Sequence, residues 1–122
     1  MTTVLIVDDS STLREMISGL LIKAGMTVLE AEDGEKAKEM IALHPPDLVV
    51  LDIVMPNMIC FELFSWVISH CPTNDVPLVI CSSKNEEFDR YWGMKQGADA
   101  YIAKPFRPAE MVETVKHLLR SR

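Results

Sequence analysis

The chain lacks an apolar run long enough to cross a bilayer: its longest uncharged stretch, residues 63–74, is broken by Ser, His and Pro. The N-terminus has no cationic segment, and the run Val4-Leu5-Ile6-Val7 stops at Asp8 and Asp9, which is not the pattern of a signal peptide. No membrane insertion is expected, and the chain reads as cytoplasmic. Basic residues are also scarce. Twelve Lys and Arg against 18 Asp and Glu leave a net charge of −6, and no basic cluster exceeds a few residues, so nothing would neutralise a row of phosphates along DNA. Direct nucleic-acid binding is not expected. Cys60, Cys71 and Cys81 are odd in number and have no C-x-x-C spacing, which argues against a zinc knuckle or a full disulfide set and for reduced structural thiols. A G-x-G-x-x-G turn and a Walker lysine loop are both missing, which disfavours a nucleotide site.

What is present is a balanced globular composition, 48% hydrophobic and 25% charged, in 122 residues that suit one domain over residues 1–122. Short apolar runs alternate five times with stretches of helical period. Val4-Leu5-Ile6-Val7 precedes a helix with Leu13, Met16, Ile17, Leu20 and Leu21 on its inward stripe, with Thr12 and Glu15 as a capping box or Ser10 or Ser11 as the cap, and Gly25 as the stop. Thr27-Val28-Leu29-Glu30-Ala31 is mixed in polarity, as at a sheet edge. Asp33-Gly34 turns into a second helix carrying Ala37, Met40 and Ile41, which Pro45-Pro46 ends.

Leu48-Val49-Val50-Leu51 is apolar throughout, as a central parallel strand covered on both faces would be. A loop over residues 53–58 leads to a third helix with Phe61, Phe64, Val67 and Ile68 inward, and Leu78-Val79-Ile80-Cys81 forms the fourth strand. A fourth helix over roughly residues 86–96 carries Phe88, Tyr91 and Trp92. Ala100-Tyr101-Ile102-Ala103 precedes a last helix that Pro108 can open and that bears Met111, Val112, Val115, Leu118 and Leu119. This alternation predicts an α/β fold with a parallel sheet between helices, and such sheets carry their sites beyond the carboxyl ends of the strands.

Those ends hold Asp8 and Asp9 after the first strand, Asp52 after the third, Ser82 and Ser83 after the fourth, and Lys104 after the fifth. Individually, each has a plain structural reading: the aspartates and serines can cap helices and the lysine can be solvated. Together they suit one reaction. Three converging carboxylates call for a cation, and an oxygen-only donor set favours magnesium over zinc or copper. Asp52 then stands as a nucleophile toward phosphorus, with Lys104 and Ser82 contacting the phosphoryl oxygens.

The ordered set Leu5-Ile6-Val7-Asp8-Asp9-Ser10, Ala31-Glu32-Asp33-Gly34, Asp47 to Asp52 with Met55-Pro56, Gly97-Ala98-Asp99 and Tyr101-Ile102-Ala103-Lys104-Pro105-Phe106 resembles the receiver domains of two-component response regulators, in their single-domain CheY-like class. The resemblance implies a three-layer, doubly wound (βα)5 flavodoxin-like fold with strand order 2-1-3-4-5. It implies Asp52 as phosphoacceptor and Mg2+ held by Asp8, Asp9, Asp52 and the backbone carbonyl of Val54. Lys104, Ser82 and Ser83 would contact the phosphoryl group, Ser82 and Tyr101 would be the switch pair, and Pro105 would follow a cis bond. The implied partners are a sensor histidine kinase and a downstream target protein reached through the surface of the fourth helix, fifth strand and fifth helix, with the domain a monomer or weak dimer. Tyr91-Trp92-Gly93 with Gln96-Gly97-Ala98 is similar to the regulators of pilus-driven motility and phototaxis.

Two departures from the family stand out. Ile59-Cys60 replaces a common Asp-Gly or Asn-Gly pair, giving up the backbone freedom of glycine, and Val54 and Lys84 line the approach of water to the acceptor. Two other readings share the same residues. One is a phosphate sink that drains a kinase. The other is a Mg2+-dependent aspartate-nucleophile phosphohydrolase, against which stand Val54, where such enzymes need a second aspartate, and the lack of a substrate cap.

Overall fold

A computed structural model describes residues 2–52, 66, 76–83, 91, 94, 95 and 97–120. Its five strands are β1 (Thr3–Val7), β2 (Thr27–Ala31), β3 (Leu48–Leu51), β4 (Leu78–Ser82) and β5 (Ala100–Ala103), all parallel and ordered β2-β1-β3-β4-β5. Helices α1 (Ser11–Lys23) and α2 (Gly34–Leu43) and a C-terminal helix (Pro108–Arg120) are described in full. This is the doubly wound α/β architecture expected from the sequence. The expectations for the third helix, Val54, Ile59, Cys60, Cys71, Lys84, Phe88 and Trp92 lie outside the described residues. No helix among the described residues is long and apolar enough to cross a membrane.

Alternation along each strand divides the core into two layers. Val4, Ile6, Leu48, Val50, Val79 and Cys81 face α1 and the C-terminal helix, meeting Ile17, Leu21, Met111 and Val115. Leu5, Val7, Val49, Leu51, Leu78 and Ile80 face the other way, toward Ala37 and Ile41 of α2, with Trp66 and Tyr101 at the margin. All four residues of β3 are buried, as its unbroken apolar run foretold, and the mixed strand β2 does lie at the edge.

Local chemistry explains where the helices begin and end. Ser10 Oγ accepts the Leu13 N–H, so Ser10 is the cap of α1 and the alternative Thr12/Glu15 box is not the one used. Gly25 has φ +95°, a left-handed angle that glycine takes without a Cβ clash, and it stops α1 as expected. Asp33 Oδ1 accepts the Lys36 N–H and caps α2, which ends at Leu43 just before Pro45-Pro46. At the amino edge of the sheet, two aspartates clamp neighbouring strands. Asp47 Oδ2 accepts the Thr3 N–H at 2.8 Å, and Asp99 Oδ2 accepts the Leu78 N–H at 2.8 Å.

The inward stripe of α1 differs from expectation at one position. Met16 is 45% exposed, whereas Ser18 is buried. At about 100° of rotation per residue, a buried arc centred between Ile17 and Leu21 takes Ser18 inside and leaves Met16 outside. The Ser18 hydroxyl finds no hydrogen-bond partner among the described residues. A buried unpaired hydroxyl costs free energy, and alanine is the better helix former. Ser18→Ala is therefore expected to raise the unfolding free energy by about 1 kcal/mol. Urea denaturation checks this, and a midpoint that falls at unchanged slope would show that the hydroxyl is needed.

Candidate functional site

Register brings the acidic residues together. Val7 pairs with Leu51 across β1 and β3, so Asp8 and Asp52, each one residue further on, emerge side by side at the carboxyl edge. Their backbones continue the ladder. Asp52 N–H donates to the Val7 carbonyl at 3.0 Å, and Asp8 N–H donates to the Ala31 carbonyl at 3.1 Å. Asp8 and Asp52 are buried and Asp9 is exposed, and one carboxylate oxygen from each of the three lies within 4.8 Å of the others.

Lys104 enters from the far side. Its N–H donates to the Ser82 carbonyl at 2.9 Å, continuing the β4–β5 ladder. Its ammonium lies 2.8 Å from Asp8 Oδ2 and 3.0 Å from Asp52 Oδ2. Burial pulls the lysine pKa down, but hydrogen bonds and charge attraction from Asp8 and Asp52 more than compensate, so the net shift is upward from 10.5. The ammonium is therefore charged throughout the physiological range. Three carboxylates against one ammonium leave these four groups with an excess of negative charge, and all the donors are hard oxygens. That combination fits a divalent cation of the magnesium type better than a soft metal.

The remaining expected residues sort by position. Ser82 is fully buried and closes β4, so the strand runs one residue further than its apolar run suggested, while Ser83 is exposed just beyond. Tyr101 is half-buried on β5 and packs at the margin of the α2-side core. The Lys104-Pro105 bond is cis. Tyr91, Met94 and Lys95 are exposed helical residues, with Lys95 Nζ donating to the Tyr91 hydroxyl at 3.3 Å.

Sequence reasoning missed three contributors. Ser10 N–H donates to Asp8 Oδ1 at 2.9 Å. Arg14 Nη1 donates to the Asp8 backbone carbonyl at 2.5 Å, and Arg14 Nε lies 3.4 Å from Glu30 Oε1. An arginine on the first turn of a helix reads as a solvated charge, and only the tertiary packing shows that its side chain is mostly covered.

Residues 4–116 match the family of the response regulator receiver domain. The chain is 41% identical over 118 residues to the phosphate regulon transcriptional regulatory protein PhoB of Pseudomonas aeruginosa, covering 97% of this chain and 52% of that protein. It thus spans about half the length of PhoB. Protein PilH of the same organism is 34% identical over 119 residues, with 98% of each chain covered. Among solved structures, the chemotaxis protein CheY4 of Vibrio cholerae superposes with a TM-score of 0.89 at 30% identity, over 97% of this chain and 98% of that one. A response regulator of Chloroflexus aurantiacus gives 0.90 at 34% identity, with 98% of each covered. The chain belongs to the response regulator receiver domain family, in its CheY-like branch. Receiver domains are signalling switches of two-component systems and not classical enzymes; they bind Mg2+ at an acidic cluster and work with sensor histidine kinases and downstream targets.

Cys81 lies on β4 next to Ser82, and its thiol is pushed up to about 12 from 9.0, chiefly by burial, with Lys104 pulling the other way and Asp8 and Asp52 adding to the rise. The thiolate is the reactive form, so Cys81 is expected to stay unalkylated by iodoacetamide at pH 8 in the native protein and to react fully in urea. Peptide mass mapping checks this residue separately from Cys60 and Cys71, and rapid native labelling at Cys81 would contradict it.

Proposed function

We propose that this chain is a phosphorylation-dependent switch that accepts a phosphoryl group from a sensor histidine kinase onto Asp52. The observation that carries the reading is the Lys104 ammonium held between Asp8 and Asp52, with Asp9 completing the acidic cluster. In the forward step, a carboxylate oxygen of Asp52 attacks phosphorus. The new O–P bond forms as the N–P bond to the donor imidazole breaks, and the imidazole leaves with the electron pair and takes up a proton. Lys104 then turns from the Asp52 oxygen to a phosphoryl oxygen, where its charge offsets the negative charge that gathers in the transition state.

Asp8, Asp9, Asp52 and the carbonyl of Val54, the last outside the described residues, are the groups we assign to Mg2+. Bound there, the ion would supply positive charge against the phosphoryl oxygens. Ser82 and Ser83 are assigned to the phosphoryl oxygens, and Ser82 with Tyr101 to the switch. In this reading the hydroxyl follows the phosphoryl group while the half-buried ring turns further inward. The change leaves through the surface of the fourth helix, β5 and the C-terminal helix toward a downstream protein. Attack of water on phosphorus returns the Asp52 carboxylate and inorganic phosphate, so the chain acts only on its own aspartyl phosphate. The similarity to Protein PilH over 98% of both chains supports a place among the pilus regulators, and a cytoplasmic setting with the kinase belongs to the same proposal.

Acetyl phosphate with Mg2+ tests the acceptor. Intact mass is expected to show one added phosphate on the wild type and none on Asp52→Asn, and Lys104→Ala is expected to slow the gain by on the order of 10²-fold. Equal phosphorylation of wild type and Asp52→Asn would overturn the assignment.

A further inference from the structure

We propose that Arg14 is a positioning residue: anchored by Glu30, it fixes the Asp8–Asp9 peptide and so sets how tightly the acidic cluster holds a divalent cation. The proposal rests on the metal reading above and adds to it a residue outside the cluster. Arg14 starts on α1 but its side chain is only 15% exposed, and it reaches two other parts of the fold. Its Nε meets Glu30 on edge strand β2, and its Nη1 donates to the carbonyl of Asp8.

The other polar atoms of Asp8 are held by different groups. The N–H goes to the Ala31 carbonyl, Oδ1 accepts from the Ser10 N–H, and Oδ2 accepts from Lys104. The Ser10 bond closes a ring around the plane of the Asp8–Asp9 peptide without touching its carbonyl, and Arg14 adds a direct hold on that carbonyl. That plane carries the nitrogen of Asp9, the exposed member of the cluster, so its rotation would swing the third carboxylate away from the other two. Arg14 opposes that rotation. Its bond goes to a carbonyl, and Glu30 offsets its charge, so its effect on the cluster is orientational more than coulombic. A guanidinium offers Nε and Nη1 as donors in fixed, separate directions, so it can hold Glu30 and the Asp8 carbonyl together, whereas the donors of a lysine all sit on one freely rotating nitrogen and would hold the two partners less rigidly. Groups that orient metal ligands from outside are commonly worth 10- to 100-fold in affinity.

The experiment uses the full chain and Mg2+ alone. Isothermal calorimetry of wild type, Arg14→Ala, Arg14→Lys and Glu30→Ala gives the affinities, while amide hydrogen exchange at Asp9 and Ser10 is followed by NMR in metal-free protein. Arg14→Ala is expected to weaken Mg2+ binding by about tenfold and to speed exchange at both amides; Arg14→Lys falls between it and wild type, and Glu30→Ala loses a few-fold. An Arg14→Ala protein that melts earlier but keeps wild-type affinity and exchange would make Arg14 a packing strut and overturn the proposal. Should that variant not fold, Arg14→Lys decides, and wild-type values in both measurements would be fatal. A wild type that binds no Mg2+ would sink the metal reading and the affinity claim together, and the exchange data would still decide whether Arg14 holds the turn.

Discussion

One ammonium group between two carboxylates is the interaction on which the carboxyl edge of this sheet depends. Asp8 and Asp52 end adjacent strands whose register leaves them side by side, and both are buried. Like charges at short range in partly desolvated surroundings repel strongly. Lys104, from a strand two places further across the sheet, supplies the compensating charge at 2.8 and 3.0 Å. The same pairing leaves a positive charge beside the Asp52 carboxylate, which suits the phosphoryl-accepting role proposed for it.

The two edges of the sheet use the same residue type for different ends. Asp47 and Asp99 each accept a backbone N–H from the adjacent strand and thereby fix where Thr3 and Leu78 begin their strands. Asp8, Asp9 and Asp52 instead face one another. Three carboxylates sharing one space repel one another and favour a cation among them. The buried layers on either side of β3 give this difference its permanence, since close-packed interiors do not let strands slide by a residue to separate the charges.

Much of this was legible in the amino-acid sequence. The apolar run of β3 announced a strand covered on both faces, the mixed polarity of β2 an edge, and Gly25 and Asp33 the end of one helix and the start of the next. Helical phase was legible only to within a residue, so Met16 and Ser18 exchange places on α1. Periodicity reports an arc whose centre the partner surface chooses. The cap of α1 was open among neighbouring hydroxyls, because Ser10, Ser11 and Thr12, the last with Glu15 as its capping-box partner, all offer the right chemistry and only the folded backbone selects Ser10. Arg14 carried no signal at all, since nothing in its sequence neighbourhood separates a solvated arginine from one folded back onto a carbonyl.

The amino-acid sequence by itself determined the order of strands and helices and which polar residues stand at the strand ends. Those features follow from local periodicity and local turn chemistry, which act over a few residues. The order β2-β1-β3-β4-β5 and the meeting of residues 8, 52 and 104 were reached from the sequence only through its resemblance to receiver domains and not from local periodicity, and only the tertiary structure decided their distances and that Arg14 reaches both Glu30 and the Asp8 carbonyl. Parallel pairing joins segments separated by tens of residues through backbone groups that are alike in every strand, so the choice of neighbour is made by packing across the whole sheet rather than by any one stretch of chain.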